Sequence, residues 1–233
     1  MGGYTLIRKL WNISKSNDKV FKILARIYTM LMFNRKKVKG KHNIINNSGS
    51  FMKKSKIFIR GNNNKIVCEK GVRLFNCNFH IIGDNHQIII KKDCYGVNST
   101  LWIEDNNCTI QIGEGTTMEG VGISATEPFS NIIIGNDCMF SAGIDIRNGD
   151  SHSIIDIATN KRTNYAKDVV IDDHVWLGRD VKILKGVKIG AHSVVASNTV
   201  VTSDISANSI AAGIPAKVVK DGISWDRRRI YEA

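Results

Sequence analysis

A repeat of six residues constrains the fold of this chain more than any other feature of its sequence. From Val169 onward, aliphatic residues dominate every sixth position in two columns that lie two residues apart. The columns are Ile171, Leu177, Ile183, Ile189, Val195 and Val201, and Val169, Val175, Val181, Val187, Ser193, Thr199 and Ile205. Strands alternate with a period of two and helices with a period of 3.6 residues, so neither explains this repeat. The pattern predicts an all-β solenoid with three flat faces, in which three hexads make one coil.

The first half of the chain repeats at a longer spacing. Two sets of residues recur 22 positions apart: Ile66, Ile88, Ile110 and Ile132, and Asn63, Asn85 and Asn107. We interpret these as coils of 18 residues that are enlarged by about four residues at one corner. Because Asn tolerates left-handed backbone, we expect the Asn ladder to turn these corners.

The hexad register is interrupted once, between Ile146 and Val169. The intervening insertion, at about residues 147–168, contains the segment Asp150-Ser151-His152-Ser153. Loops that leave a solenoid often carry its function, so this insertion is the first place to look for a site.

The two ends of the chain are predicted to be helical. Apolar residues in the segment 5–33 recur at helical spacing with Lys and Arg between them, and residues 223–231 are expected to form a short closing helix. The N-terminal helix either covers the open end of the solenoid or lies in the plane of a membrane surface. The predicted organisation is a basic helical segment at 1–40, the solenoid at 41–222, and a C-terminal helix or tail at 223–233.

Positive charge is concentrated at the N-terminus. The chain has a net charge of +12, yet residues 1–60 contain 15 Lys or Arg and one acidic residue, Asp18. Such a segment suits anionic lipid, an anionic polysaccharide or nucleic acid, or is simply a solvated surface. Because no nucleic-acid-binding motif accompanies it, we do not expect a nucleic-acid partner.

The cysteines indicate a reducing environment. There are five, Cys68, Cys77, Cys94, Cys108 and Cys138, with no CxxC pair. An odd number without that spacing signals neither a disulfide framework nor a zinc site. No signal peptide is evident, and the apolar stretch at 20–33 is too short and charged to span a bilayer. We expect a cytoplasmic protein, either free or peripheral at the inner face of the membrane.

Several segments resemble the polysaccharide O-acetyltransferases of the hexapeptide-repeat acyltransferase superfamily. They are residues 147–152 (RNGDSH), 164–168 (NYAKD) and 169–178 (VVIDDHVWLG), and the ending 211–219 (AAGIPAKVV) is similar to the superfamily's last coil. The resemblance is strong over about 132–220 and does not cover the first 40 residues. It implies a left-handed parallel β-helix that forms a homotrimer, with acetyl-CoA in the groove between two subunits.

The resemblance also implies how the reaction is catalysed. His152 is expected to be the general base, since imidazole titrates near neutral pH. Asp150 either orients the His152 ring or shapes the loop. A backbone N–H or the Trp176 indole N–H is expected to stabilise the oxyanion. The alternative for Trp176 is that it only covers a corner. Arg147 and Asn164 are expected to bind the carbohydrate acceptor, with direct transfer and no metal.

A second group of residues resembles the superfamily's CoA-binding end. It comprises Trp176, Gly178, Ala196, Gly213, Pro215 and Lys217. Lys217 suits a CoA phosphate, and small residues leave room for the pantetheine arm. The alternative is purely structural, with Gly178 and Ala196 as corner residues and Gly213 and Pro215 forming the turn that ends the prism.

The leading functional hypothesis is O-acetylation of a sugar in a capsule, an O-antigen or a precursor. The alternatives are an N-acetyltransferase for a nucleotide-linked amino sugar and a scaffold that binds glycan without catalysis. A metal-dependent carbonic anhydrase would need His152, His174 and His192 to converge on one metal. The 18-residue spacing of His174 and His192 instead predicts a stack on the outside of consecutive coils.

Overall fold

The computed structural model describes residues 17–231, which contain one helix and 26 strands. The helix α1 is Asp18–Leu31. The strands are β1 Arg35–Lys39, β2 Ile44–Asn46, β3 Phe51–Lys53, β4 Lys56–Arg60, β5 Lys65–Cys68, β6 Arg73–Phe75, β7 Asn78–Ile82, β8 Gln87–Ile90, β9 Tyr95–Val97, β10 Thr100–Ile103, β11 Thr109–Ile112, β12 Thr117–Glu119, β13 Val121–Ala125, β14 Asn131–Ile134, β15 Met139–Phe140, β16 Ile144–Arg147, β17 Ile155–Asp156, β18 Lys161–Arg162, β19 Val169–Ile171, β20 Trp176–Leu177, β21 Lys182–Ile183, β22 Lys188–Ile189, β23 Val194–Val195, β24 Val200–Val201, β25 Ser209–Ala212 and β26 Lys217–Asp221.

Three long sheets form the faces of a prism, which confirms the predicted solenoid. Face A has the strand order β1-β4-β7-β10-β13-β16-β21-β24 and face B the order β2-β5-β8-β11-β14-β19-β22. Face C has the order β3-β6-β9-β12-β15-β20-β23-β25-β26, in which the last pair is antiparallel. The chain visits faces A, B and C in turn, so each coil crosses an A–B, a B–C and a C–A corner. Aliphatic side chains from all three faces fill one continuous core.

The coils shorten along the prism. Cys68 pairs with Ile90, 22 residues away, whereas Val170 pairs with Lys188, 18 residues away. The extra residues lie mainly between faces A and B, in agreement with the predicted single enlarged corner. Longer strands on face A contribute to this enlargement, since β4 and β7 have five residues and β21 has two.

The enlarged A–B corners are stabilised by stacked polar residues. The predicted Asn ladder has positive φ, at 57° for Asn63, 61° for Asn85 and 59° for Asn107. A second, buried column lies one residue further along, where the His86 N–H donates to Asn64 Oδ1 (2.9 Å) and the Cys108 N–H donates to His86 Nδ1 (3.2 Å). Each inward side chain therefore provides an acceptor for the main chain of the next coil, which satisfies buried N–H groups.

Helix α1 covers the exposed edge of face C. Its buried side chains include Phe21 and Tyr28, whose rings pack edge-on against Phe51 at 5.4 and 5.6 Å. Thr29 Oγ1 accepts a hydrogen bond from the Met52 N–H (3.1 Å) in β3, the terminal strand of that face. The helix thus occupies the place of a preceding coil, as the covering interpretation predicted. Residues 5–16 of the predicted helix lie outside the described residues.

The predicted C-terminal helix is wrong. Residues 223–231 follow an irregular path along the B–C corner. The Trp225 ring stacks on His174 at 4.1 Å, and its indole N–H donates to the His174 carbonyl (2.7 Å). Arg227 donates to the Asp137 carboxylate (2.9 Å) and to the Cys138 carbonyl (2.8 Å). These contacts with distant coils stabilise the tail in a non-helical conformation, because tertiary contacts outweigh weak local propensity.

We predict that core and surface positions of one strand differ sharply in their effect on stability. Ile110 is fully buried in β11, whereas its neighbour Gln111 is partly exposed. Ile110→Ala should lower the free energy of unfolding by about 2–5 kcal/mol, since it leaves a cavity in the core column. Gln111→Ala should change it by less than about 0.5 kcal/mol. Urea unfolding measures both, and similar losses for the two variants would contradict this assignment of the core.

Candidate functional site

The insertion leaves the prism at the A–B corner, between β16 and β19. It contains the antiparallel strands β17 and β18, in which Ile155 pairs with Arg162. The same corner carries Glu127 on the preceding coil and Lys185 on the following coil. The loop is therefore flanked by a carboxylate on one side and an ammonium group on the other.

Asn164 joins the two arms of this loop. The residue is 7% exposed, and its Nδ2 donates to Asp150 Oδ2 (2.8 Å) and to the His152 carbonyl (2.7 Å). Its Oδ1 accepts from the Ile154 N–H (2.7 Å) and from Arg162 Nε (3.1 Å). Both donors and both acceptor sites of the amide are therefore occupied within the protein. The expectation that Asn164 contacts the acceptor stays a prediction; in this structure its side chain organises the loop.

Asp150 is bound by Lys185. The Lys185 ammonium donates to Asp150 Oδ2 and to the Asn164 carbonyl (3.0 Å). The hydrogen bond from Lys185 lowers the pKa of Asp150, and the Asn164 amide contributes in the same direction. Asn164 donates to the Asp150 carboxylate and to the main-chain carbonyl of His152, so it links Asp150 to the backbone of His152 and not to its ring. The expectation that Asp150 orients the imidazole ring therefore stays a prediction. The sequence offered no signal for Lys185, because a lysine at a solenoid corner is commonly just solvated.

A second ion pair fixes the loop to the preceding coil. Arg162 Nη2 donates to Glu127 Oε1 (2.5 Å), and the Ala166 N–H donates to Glu127 Oε2 (3.1 Å). Both charged side chains are largely buried, with relative exposures of 23% and 16%. Glu127 and Arg162 were also missed at the level of sequence, since 35 residues separate them.

The loop held by these contacts exposes the His152 side chain to solvent. Its main-chain carbonyl is held by Asn164, while its imidazole is exposed and makes no hydrogen bond within residues 17–231. Arg147, the last residue of β16, donates through Nε to both oxygens of Asp145 (3.0 and 2.8 Å) at the foot of the loop. An exposed imidazole on a fixed backbone is suited to take a proton from a bound hydroxyl.

The predicted CoA-binding residues line a different edge, the C–A corner. Gly178 and Ala196 occupy equivalent positions on consecutive coils, and Gly213 follows β25 at the same corner. A Cβ atom on Gly178 would lie 2.7 Å from the Ser197 nitrogen, so the close approach of the next coil requires glycine at position 178. Trp176, in β20, is 38% exposed beside this corner. Gly178 and Ala196 thus place little or no side chain at equivalent points of this edge.

Pro215 and Lys217 extend the same edge at the end of the prism. Pro215 lies in the turn between β25 and β26, and Lys217 is the exposed first residue of β26. The two predicted groups, the His152 loop and the CoA-binding edge, thus lie at opposite edges of face A. Within one chain the structure does not bring them together.

The third corner, B–C, carries His174 and His192. Their ring centroids lie 5.3 Å apart on consecutive coils, in agreement with the predicted external stack. His174 contacts Asp137 (Nδ1 to Oδ2, 2.8 Å) and the Trp225 carbonyl (2.9 Å), so it anchors the C-terminal tail. Neither ring lies at the corner of His152. No cluster of three or more metal-ligating side chains occurs in the described range 17–231.

A prism of parallel coils with a six-residue repeat is the fold of the hexapeptide-repeat transferases. The family model for bacterial transferase hexapeptide (six repeats) matches residues 168–203. The polysialic acid O-acetyltransferase of Neisseria meningitidis is 36% identical over 194 residues, which are 82% of this chain and 89% of that protein. The chain therefore belongs to the hexapeptide-repeat acetyltransferases, whose fold is the predicted left-handed parallel β-helix.

A second curated relative and a solved structure agree with this assignment. The polysialic acid O-acetyltransferase of Escherichia coli O1:K1 / APEC is 40% identical over 116 residues, which are 50% of this chain and 38% of that protein. The crystal structure of the polysialic acid O-acetyltransferase OatWY matches with a TM-score of 0.80 and 34% identity, over 86% of this chain and 94% of that one. The match therefore covers nearly the whole length of the Neisseria meningitidis protein but well under half of the Escherichia coli protein.

We predict that Lys185 stabilises the loop that carries His152. Lys185→Met removes the charge that binds Asp150, so amide hydrogen exchange in residues 150–156 should accelerate about fivefold, equivalent to ~1 kcal/mol. Lys188→Met is the matched control, because Lys188 contacts Asp172 at 3.5 Å on a solvated surface. Unchanged exchange in Lys185→Met, or equal acceleration in both variants, would show that this contact does not hold the loop.

Proposed function

We propose that this protein transfers an acetyl group from acetyl-CoA to a sugar hydroxyl of a bacterial surface polysaccharide or its precursor, with His152 as the general base. The observation that carries the proposal is the placement of His152. It lies on a loop fixed by Asn164, Lys185 and Glu127, with a free imidazole that faces solvent. Similarity to polysialic acid O-acetyltransferases over most of the chain supplies the reaction class.

In the proposed reaction, His152 is the one group that accepts a proton from the sugar hydroxyl. His152 takes the proton of the acceptor hydroxyl as its oxygen attacks the thioester carbonyl, forming the C–O bond. The Trp176 indole N–H or a backbone N–H stabilises the oxyanion of the tetrahedral intermediate. The C–S bond then breaks, and the imidazolium returns the proton to the departing sulfur. The proton that His152 accepts is thus returned within the same cycle, and the step needs no covalent acyl-enzyme.

The C–A corner is suited to acetyl-CoA. Gly178 and Ala196 have little or no side chain at equivalent positions on consecutive coils, which suits a path for the pantetheine arm. The exposed ammonium of Lys217, further along the same edge, suits a phosphate of the donor. Arg147 at the foot of the loop is the residue we assign to the acceptor.

We propose that the complete site forms between subunits of a homotrimer. The His152 loop and the CoA-binding edge lie at opposite edges of face A, so a neighbouring subunit must supply the second half of each site. If face A turns towards the threefold axis, the A–B corner of each subunit meets the C–A corner of the next. Three aromatic rings that stack outward along face A support this orientation: Phe58 and His80 at 4.8 Å, and His80 and Trp102 at 3.8 Å.

We propose an acidic glycan such as polysialic acid as the acceptor, because two relatives are polysialic acid O-acetyltransferases.

We propose that the reaction takes place in the cytoplasm. All five cysteines are free and buried, which fits a reducing compartment. Burial raises the pKa of Cys68 to about 12, so this thiol is unreactive at neutral pH.

Release of free thiol from acetyl-CoA tests the proposal directly. We expect release that depends on polysialic acid, with kcat at least about 100-fold lower in His152→Ala because the general base is lost. The KM for acetyl-CoA should change less than about threefold, since the donor binds at another corner. His192→Ala, at the B–C corner, is the control and should retain activity. Parallel reactions contain a nucleotide-linked amino sugar and a neutral glycan.

Two outcomes would overturn the proposal. Full activity in His152→Ala would remove the assigned base. Release with the amino sugar but not with any polysaccharide would replace O-transfer by N-transfer.

A further inference from the structure

The outward side of helix α1 is apolar and uncovered within the described residues. While Phe21, Ala25 and Tyr28 pack on the solenoid, the opposite side carries large exposed side chains. Their relative exposures are 58% for Ile23, 45% for Ile27, 74% for Met30 and 60% for Leu31, and Phe33, two residues beyond the helix, is 82% exposed. A single exposed aliphatic side chain is ordinary, but a continuous group on one helix indicates an interaction surface.

This apolar group lies among positive charges. Residues 17–60 contain twelve Lys or Arg and one acidic residue, Asp18, whose carboxylate is already paired with Lys22 and Lys70 at 2.7 Å each. Phe33 lines one cavity together with Arg35, Lys54 and Lys56. The most exposed aromatic side chain of the surface therefore lies beside several cations.

Strand β1 extends the charged region. It is the edge strand of face A, its sequence is RKKVK, and all five residues are exposed. Like α1, it lies at the N-terminal end of the prism, far along the chain from the His152 loop. We call α1, Phe33 and β1 together the N-terminal surface.

We propose that the N-terminal surface binds the face of an anionic lipid bilayer. In this arrangement α1 lies parallel to the bilayer, with Ile23, Ile27 and Met30 among the acyl chains and the basic residues at the lipid phosphates. No helix within residues 17–231 is long and apolar enough to cross a membrane, so the contact is peripheral. Binding of this kind would hold the enzyme beside lipid-anchored acceptors, and it does not depend on the assignment of His152.

The aliphatic side chains favour a bilayer over a soluble polyanion. A hydrated anionic polysaccharide interacts with lysine and arginine but gains nothing from Ile23 or Ile27, whereas an acyl layer removes their apolar surface from water. A lipid surface therefore interacts with both the apolar and the basic side chains of the N-terminal surface, whereas an anionic polymer interacts only with the basic ones.

Co-sedimentation of the full-length protein with vesicles tests the proposal. The vesicles are pure phosphatidylcholine, or phosphatidylcholine with about 30% phosphatidylglycerol as the anionic lipid. We expect binding to the anionic vesicles at low salt, at least about tenfold weaker binding at 0.5 M salt, and little binding to phosphatidylcholine.

Two pairs of variants separate the apolar from the charged contribution. Ile23→Ser/Ile27→Ser and Lys19→Glu/Arg26→Glu, which change exposed residues of α1, should each weaken binding by about tenfold or more. The matched controls Val219→Ser/Ile230→Ser and Lys220→Glu/Arg229→Glu change exposed residues elsewhere and should bind normally. If the helix variant fails to fold, Phe33→Ser gives the same readout, because Phe33 lies outside α1 and is 82% exposed.

Three results would overturn the proposal. The first is no binding to anionic vesicles at low salt. The second is unchanged binding of Ile23→Ser/Ile27→Ser and of Phe33→Ser. The third is loss of vesicle binding when soluble polysialic acid is added, with equal affinity of wild type and the apolar variants for that polymer. This last result would make the surface a polysaccharide site.

Discussion

Register between consecutive coils is the constraint on which the rest of this structure depends. Each inward side chain must lie above its equivalent in the coil before, because stacked columns of mostly aliphatic side chains form the core of the prism. The loop at 147–168 leaves this register without disturbing it. Ile134 still pairs with Ile171 across the insertion, because the buried Asn148 closes its base. Asn148 donates to Ser130 Oγ (2.9 Å) and accepts from the Lys167 N–H (2.9 Å).

The same regularity separates the halves of the proposed site. A strict succession of faces fixes the His152 loop at the A–B corner and Gly178 and Ala196 at the C–A corner, so no rotamer change in one chain brings them together. The proposed site therefore requires a neighbouring subunit, and the proposed ring of three subunits would provide one at each edge of face A. The inward columns of each coil thus stabilise the fold, whereas the outward corners carry the residues of the proposed site.

The hexad columns made the fold predictable, because burial in a solenoid repeats at a fixed interval in the sequence. The location of His152 could be predicted from the break in that repeat. Lys185 and Glu127 could not, since each contacts the loop from an adjacent coil, and nothing local distinguishes them from solvated residues. The prediction of a C-terminal helix was wrong for a related reason. Trp225 stacks on His174, 51 positions earlier, and such tertiary contacts outweigh the helical preference of the local sequence.

Mixing two inactive variants tests the shared site most directly. His152→Ala lacks the base, and Ala196→Trp fills the CoA-binding edge, so each trimer alone should be inactive. In trimers assembled from an equal mixture, half of the loops and half of the edges are intact, so about one quarter of the sites recover activity if adjacent subunits share each site. No recovery in trimers that have demonstrably mixed would place the complete site within one chain and contradict this account.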